Sequence, residues 1–364
     1  MKTIASFDVQ YDQFLDSEGE PQQALPEFAR DPATLISLYC AMVLARGFDT
    51  KAIALQRTGK LGTFASALGQ EAIGVGTATA MRAEDVLLPS YREHAAQFCR
   101  GVSMRESLLY WGGDERGSDY AEARQDFPNC VTIAAQVCHA AGVAYAKKLR
   151  HEAGVAVCIF GDGGTSKGDF YEGMNLAGVC RLPLVMVVNN NQWAISLPRS
   201  LQSAARTLAQ KAIAAGIEGF QVDGNDVIAV REAVGRGLDR ARAGDGPTLI
   251  EALSYRLGDH TTADDATRYR DPETVNRQWQ FEPVARLRKY LARIGAWDKE
   301  KEEALLRECS ECVNQAVEAY LATPPQSGTA MFDHLYAELP AGLQAQREEA
   351  FRFAPRDGEN HGGS

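Results

Sequence analysis

Gly161-Asp162-Gly163-Gly164 is a stretch whose residue types and spacing could do chemistry. It follows the apolar run 155–160 and precedes a helical pattern over 170–180. Glycines at such a turn let backbone N–H groups approach a phosphate, and a helix N-terminus favours negative charge. An acid there would repel the phosphate unless a cation lay between them, so Asp162 reads as a ligand for a hard divalent metal. Roughly thirty residues on, a second apolar run, 182–190, ends in Asn190-Asn191-Gln192-Trp193. A single right-handed crossover brings two such strand ends together. The amide oxygen of Asn191 and the backbone carbonyl of Trp193 then join Asp162 around a magnesium-like ion, with phosphate oxygens and a water completing its shell. A P-loop fits poorly, because Lys167 precedes Gly168, and a GxGxxG fingerprint fails at Ser166. A lone GDG is mostly a tight turn. GDG followed by NN across a βαβ unit is far more specific.

These residues need strands and helices to place them. Residues 1–31 are polar and proline-punctuated and read as an extended arm lying over something else. Apolar residues at i, i+3, i+4 spacing predict a helix from Pro32 to a stop at Gly59. A glycine-bearing loop, a small-residue helix over 71–81 and a short strand in DVLLPS follow. The stretch 90–113 reads as helical, 114–129 as a polar loop and 132–150 as a helix of small residues. VAVCIF and LPLVMVVNN are buried strands around the helix FYEGMNLAGVC. Helical spacing recurs over 203–215, then strand, helix and strand follow through EGFQVDG, VIAVREAVGRGLDRARAG and PTLIEALSYRLG. Residues 276–322 are helical. The expected fold is α/β, a doubly wound parallel sheet with helical extensions. The expected organisation is an arm at 1–31, the α/β domain at 32–275, a helical extension at 276–340 and a flexible tail at 341–364.

The longer text GDGGTSKGDFYEGMNLAGVCRLPLVMVVNNNQWAISLP resembles the alpha subunit of the first, decarboxylating component of 2-oxoacid dehydrogenase complexes. The resemblance continues through ALGQEAIGVGTATAMRAEDVLLPSYRE, TLAQKAIAAGIEGFQVDGND and GPTLIEALSYRLGDHTTADDATRYR, and spans about 32–340. It is nearest the bacterial two-subunit pyruvate dehydrogenase type, then the branched-chain 2-oxoacid type, then acetoin dehydrogenase. It implies a thiamine-diphosphate-binding fold and thiamine diphosphate with magnesium as cofactors. Asp162, Asn191 and the Trp193 carbonyl match the metal ligands, and Gly161, Gly163 and Gly164 the diphosphate loop. Tyr91 and Arg92 match the pair that contacts the cofactor, and Val131 and Ile133 the positions that read its aminopyrimidine ring. His260 matches a catalytic histidine on a mobile loop that also meets the cofactor. Taken alone, Tyr91-Arg92 would be a helix start and His260 a solvated histidine; the setting Tyr255-Arg256…His260…Tyr269-Arg270 shifts that judgement. His94 and His139 are expected to be structural. Trp193 stands where the family commonly has tyrosine or phenylalanine, and Asn189 where some members carry a charge. Thr261 and Thr262 follow the histidine where mammalian relatives carry a phosphoserine.

The resemblance further implies oxidative decarboxylation of a 2-oxoacid and transfer of the acyl group to a lipoyl group on the acyltransferase component. In two-subunit members the glutamate that activates the cofactor comes from a separate beta chain, so an α2β2 heterotetramer is implied. Phe64, Ala65, Ser66 and Leu68 are candidate pocket residues. A catalytically silent partner-binding subunit and a nucleotide-binding α/β enzyme are the readings from other classes.

Composition sets limits on all of this. The chain has 364 residues, of which 45% are hydrophobic and 24% charged, ordinary globular values that exclude a disordered chain. Lys+Arg 38 against Asp+Glu 48 gives a net charge of −10, so binding of nucleic acid through bulk positive charge is excluded and any anion must be held locally. No stretch reaches the roughly 18 apolar residues of a membrane span, and the opening MKTIASFDVQYDQ lacks an apolar signal region, so a cytoplasmic location is expected. The eight cysteines sit mostly in apolar runs and read as free thiols, including the Cys309-x-x-Cys312 pair, which has no second pair to complete a zinc set.

Overall fold

The computed structural model describes residues 1–333 and 335–353. In chain order the elements are β1 (Tyr11–Asp12), α1 (Pro32–Arg57), α2 (Glu71–Ala80), β2 (Val86–Leu88), α3 (His94–Cys99), α4 (Met104–Trp111), α5 (Ala135–Leu149), β3 (Ala156–Gly161), α6 (Gly168–Val179) and β4 (Leu184–Asn190). A small hairpin, β5 (Trp193–Ala194) and β6 (Leu197–Pro198), follows, then α7 (Arg199–Gln202), α8 (Lys211–Ala214), β7 (Glu218–Asp223), α9 (Val227–Arg242) and β8 (Thr248–Leu253). The rest is helical: α10 (Pro272–Gln278), α11 (Pro283–Arg293), α12 (Lys299–Leu321) and α13 (Ala341–Phe353). Met1–Val317 forms one compact unit and Glu318–Ser364 another.

The six-stranded sheet has the order β1-β7-β8-β4-β3-β2 and is parallel throughout. β3 and β4 are its buried centre, as their unbroken runs of Val, Ile, Leu and Phe require when helices cover both faces. One face packs on α5 and α6 through a core that includes Val137, Ala141, Phe170 and Met174. The other packs on α2 and α9 through Ile73, Val230 and Val234. This is the α/β architecture expected, with the carboxyl ends of β3 and β4 side by side.

Local chemistry sets the boundaries. Asp31 caps α1 by accepting from the backbone N–H groups of Ala33 and Thr34, with Pro32 in the first turn; Gly59, at φ +70°, follows its end. The arm is more than a cover. β1 adds an edge strand to β7, and the N–H groups of Phe14 and Leu15 both donate to Asp226, the residue that caps α9. Phe14 and Leu15 thereby enter the core that α1 and α11 share.

Three expectations are corrected. The helix expected over 90–113 is broken, because Gly101 takes φ +99° and Ser103 with Glu106 forms a capping box that starts α4 afresh. Within 203–215 only Lys211–Ala214 and the start of no other helix are seen after α7, because buried Glu251 takes the N–H groups of Leu208 and Ala209 at 2.7 and 2.9 Å and holds that stretch away from helical pairing. The tail expected to be flexible from 341 is helical through Phe353, as the Ala, Leu, Gln, Glu and Arg of AGLQAQREEAFRF favour; its remaining residues lie outside the described ones. All eight cysteines are free thiols, with Cys309 buried and Cys312 exposed on α12. Among the described residues no helix is long and apolar enough to cross a membrane.

Candidate active site

β3 ends at Gly161, and Asp162 begins a single 3₁₀ turn, Asp162–Ser166, that leads into α6. The turn is fixed from below. Thr165 Oγ1 donates to the Asp162 carbonyl at 2.8 Å, and the buried Lys211 ammonium donates to Thr165 O at 2.7 Å. A Cβ at Gly163 would stand 2.7 Å from the Cβ of Ala194, so glycine is what lets the β5–β6 hairpin lie against the turn.

The end of β4 is equally determined. Gln70, just before α2, accepts from Asn189 Nδ2 at 3.1 Å and from Asn191 Nδ2 at 2.8 Å. That fixes the Asn191 amide with its oxygen turned the other way, where it receives only the Trp193 N–H at 3.2 Å. Asn189 completes its own set by accepting from Ser254 Oγ at 3.0 Å, so this uncharged residue is a pin for the strand end. Gln192 and Ile195 both take positive φ, 72° and 55°, conformations that non-glycine residues rarely adopt and that concentrate at functional sites. They turn the chain sharply at Trp193, whose ring leans on Tyr269.

Asp162 is 3% exposed, and its carboxylate accepts from Gln202 Nε2 at 3.2 Å. Burial pushes its pKa up to about 6, which shows how poorly this site solvates the charge on protein groups alone. A divalent cation beside Asp162 would offset that deficit. Among the described residues there is no cluster of three or more His, Cys, Asp or Glu. The oxygen donors on offer are one carboxylate, one amide oxygen and one carbonyl, a set suited to a hard ion that shares its shell with phosphate. The residues present therefore fit a magnesium–diphosphate group.

A cavity of about 720 Å³ opens over these strand ends. Tyr91, Arg92, Val131, Ile133, Gly161, Asp162, Gly163, Gly164, Asn191, Trp193 and His260 all line it. Residues from five separate stretches of chain thus converge. Of the candidate pocket residues Phe64, Ala65, Ser66 and Leu68, only Ala65 lines the cavity. Phe64 packs on Phe48 and Trp111, and Ser66 Oγ donates to Asp49 at 2.6 Å. His94 is buried against the same Asp49 at 3.3 Å.

His260 is held by arginine. Its Nδ1 lies 2.8 Å from Arg92 Nη2 and 3.3 Å from Arg256 Nη1, and its carbonyl accepts from Arg92 Nη2 at 2.7 Å. Guanidinium groups can only donate, so Nδ1 accepts and the ring proton belongs on Nε2. Burial, then Arg92 and Arg256, lower its pKa to about 4. The loop histidine is therefore neutral, and the positive charge near it comes from arginine. Arg92, Arg256 and Arg270 are all buried, and among the described residues none forms an ion pair with a carboxylate. Asp264 instead accepts from the His260 N–H at 2.9 Å and from the Tyr269 hydroxyl. Of the three arginines, only Arg92 lines the cavity, while Arg256 and Arg270 donate to backbone carbonyls and the Tyr269 hydroxyl, so Arg92 is the cation placed to meet an anion there.

A sequence profile of the Dehydrogenase E1 component matches residues 39–327. The 3-methyl-2-oxobutanoate dehydrogenase subunit alpha of Mycobacterium tuberculosis (strain H37Rv) is 41% identical over 95% of this chain and 95% of its own. The chain belongs to the dehydrogenase E1 component family. The pyruvate dehydrogenase E1 component subunit alpha of Bacillus cereus is 41% identical over 96% of this chain and 94% of its own. The subunit of that name in Acholeplasma laidlawii is 43% identical over 88% and 93%.

Around this cavity, sequence reasoning passed over Gln70. Gln70 carries no motif signal, because its role is to orient Asn189 and Asn191 from a distant part of the chain. Arg256, by contrast, belongs to the setting that marks His260 in the sequence. It is 1% exposed, donates to Ile195 O at 2.7 Å and to the Tyr269 hydroxyl at 2.9 Å, and so ties the hairpin to the His260 loop.

Proposed function

We propose that this chain is the alpha subunit of a two-chain E1 component that uses thiamine diphosphate and magnesium to decarboxylate a 2-oxoacid, pyruvate first. The acyl group passes to the lipoyl group of an acyltransferase component. The observation that carries this reading is the convergence of Asp162, Asn191, the turn at Trp193, Arg92 and His260 on one cavity. The Bacillus cereus and Acholeplasma laidlawii relatives support pyruvate. The Mycobacterium tuberculosis relative supports a branched-chain 2-oxoacid as the second reading, at the same identity as the Bacillus one.

When bound, thiamine diphosphate supplies the nucleophilic carbon and the electron sink that loss of carbon dioxide requires. The chain's own residues do the rest. Asp162, Asn191 Oδ1 and the Trp193 carbonyl would hold the metal, and the backbone N–H groups at Gly163 and Gly164 would serve the diphosphate. Arg92 and Arg256 make the surroundings positive and fix His260, whose Nε2–H is a donor within the cavity that can hold or pass a proton. Tyr91, Val131 and Ile133 line the outer part of the pocket.

A beta chain completes the site in this reading. Val131 and Ile133, which line the cavity, are 58% and 44% exposed. Tyr145, Leu149, Leu176 and Val179 expose further apolar surface on α5 and α6, which is unusual for a surface that stays in water. The test is a panel of 2-oxoacids offered to the chain with and without a co-expressed beta chain, with ferricyanide as electron acceptor. Turnover by the pair alone, fastest with pyruvate, is the expected result. Equal turnover by the isolated chain would remove the beta chain from the reading. Cofactor binding without any turnover would leave a silent subunit, and ATP or NAD binding in its place would point to a nucleotide enzyme.

A further inference from the structure

The two side chains that would hold a cation, Asp162 and Asn191, come from different strand ends, and each needs its oxygen aimed. Gln70 does this for Asn191 by taking its Nδ2 at 2.8 Å. The terminal torsion of an aspartate is broad, so a carboxylate without a donor has no fixed plane. The Asp162 backbone is held by Thr165 Oγ1, but that leaves the carboxylate free to turn. Among the described residues one side chain donates to it: Gln202 Nε2, 3.2 Å from Oδ2.

Gln202 is the last residue of α7, which leaves the β5–β6 hairpin. α7 buries none of its four side chains, so polar ties place it. The Arg199 N–H donates to the Gln192 carbonyl at 2.9 Å, and Arg199 Nη2 donates to the Ala205 carbonyl. Pro198, one residue earlier, pairs with Trp193 across the hairpin. From this anchored turn the Gln202 amide reaches back over the turn that follows β3, where a Cβ on Gly163 would stand 3.3 Å from Gln202 Oε1. Gln202 thus ties Asp162, at the end of β3, to the hairpin beyond β4 that carries the Trp193 carbonyl. It does not itself line the cavity, so whatever it does there it does through Asp162.

We propose that Gln202 is a positioning residue for the divalent cation: it fixes the plane of the Asp162 carboxylate and its placement against the hairpin, so that Asp162 and the Trp193 carbonyl can meet one ion. This rests on the metal-dependent reading above and adds the residue that aims its carboxylate ligand. Gln202 then serves Asp162 as Gln70 serves Asn191. Partners of this kind, one layer out from the ligands, are worth roughly 10–100-fold in metal affinity.

The test compares wild type with Gln202→Met and Gln202→Asn, each co-purified with the beta chain. Methionine keeps the length without the donor, and asparagine keeps the amide one methylene short of its reach. Mn²⁺, a paramagnetic substitute for magnesium, is titrated in the presence of thiamine diphosphate, and the free ion is read by electron paramagnetic resonance. Both variants should bind Mn²⁺ roughly 10–100-fold more weakly than wild type. The Mn²⁺ needed for half-maximal turnover of pyruvate should rise by the same factor, with kcat at saturating metal falling far less. Because α7 buries no side chain, the ligand-free melting temperature should stay within about two degrees of wild type. Mn²⁺ binding as tight as wild type in both variants would overturn the assignment. So would a loss of Mn²⁺ affinity accompanied by a large fall in melting temperature, which would make Gln202 a support of the fold alone. A wild-type pair that binds Mn²⁺ with thiamine diphosphate but turns over no 2-oxoacid would sink the functional reading, while the Mn²⁺ comparison would still decide the role of Gln202. A wild-type pair that binds no Mn²⁺ would overturn both.

Discussion

Asp162→Asn separates the stability of the fold from the chemistry of the site. The Asp162 carboxyl rises from 3.8 to about 6 in the protein without its ligands, and burial is the main cause. Each pKa unit corresponds to about 1.4 kcal/mol of preference for the protonated form. Because the folded-state value is the higher one, the folded state binds the proton more tightly than the unfolded chain does. The cost of carrying the charge is absent below about pH 4, grows between 4 and 6, and is complete above 6, with a ceiling of about 3 kcal/mol. Asparagine keeps the shape and an oxygen for Gln202 Nε2 without the charge. The ligand-free variant should therefore melt a few degrees above wild type at pH 7.5, and the gain should shrink toward zero as the pH falls to 4. The same variant should lose magnesium-dependent cofactor binding, since the site's one carboxylate ligand is gone. Calorimetry of both ligand-free proteins across this range, with a titration of cofactor at pH 7.5, makes the comparison. A variant less stable than wild type at pH 7.5, or a gain that persists at pH 4, would refute the reasoning.

Two further substitutions probe the parts that hold the site together. His260→Asn should lower kcat by roughly 10²–10⁴-fold, the usual contribution of a positioned proton carrier, with cofactor binding largely retained. Because burial and two guanidiniums hold His260 near pH 4, the wild-type kcat/KM profile should show no histidine ionisation between pH 5.5 and 8. Gln70→Leu leaves the amides of Asn189 and Asn191 without their shared acceptor. At about 1–3 kcal/mol for a buried group left unpaired, cofactor affinity should fall about tenfold or more, and Gln70→Glu, which still accepts from both amides, should restore the Asn191 orientation in a structure of the variant.

The strands, and the GDG and NN stretches at their ends, were legible because their signals are local. Short apolar runs rich in Val, Ile and Leu and bounded by turn residues favour central strands over helices, and GDG and NN sit where those runs end. The reversal at Gln192 and Ile195 was not legible, since nothing in NNNQWAI announces positive φ at a β-branched residue. Helix breaks were missed where a single cap decides the outcome, as at Ser103, or where a distant carboxylate such as Glu251 captures backbone N–H groups. The same holds for the pocket wall. Phe64, Ala65 and Ser66 are adjacent in sequence, yet of the three only Ala65 borders the cavity, in a segment held by Thr262 and Arg92 some 200 and 30 residues away along the chain. His260 was legible as a site residue, but its neutral state was not, because it follows from two arginines that only the fold brings to its Nδ1.

Those arginines also explain how a chain of net charge −10 can hold a diphosphate. Arg256 is 1% exposed, and burial, then Arg92, bring its pKa down to about 10, so it remains charged at neutral pH under strain from its neighbours. An anion held beside Arg92 in the cavity would ease that repulsion from within, without any basic surface. Salt screens exposed charges over about 8–10 Å but reaches buried ones far less. Cofactor affinity should therefore change by less than about threefold between 50 and 300 mM NaCl, whereas Arg256→Met should weaken it by about tenfold or more at either salt. Isothermal titration of wild type and variant at both concentrations reads this directly. A steep salt dependence in the wild type would place the binding charge on the surface, and an Arg256→Met protein that binds as tightly as wild type would show that the buried guanidinium serves the loop alone.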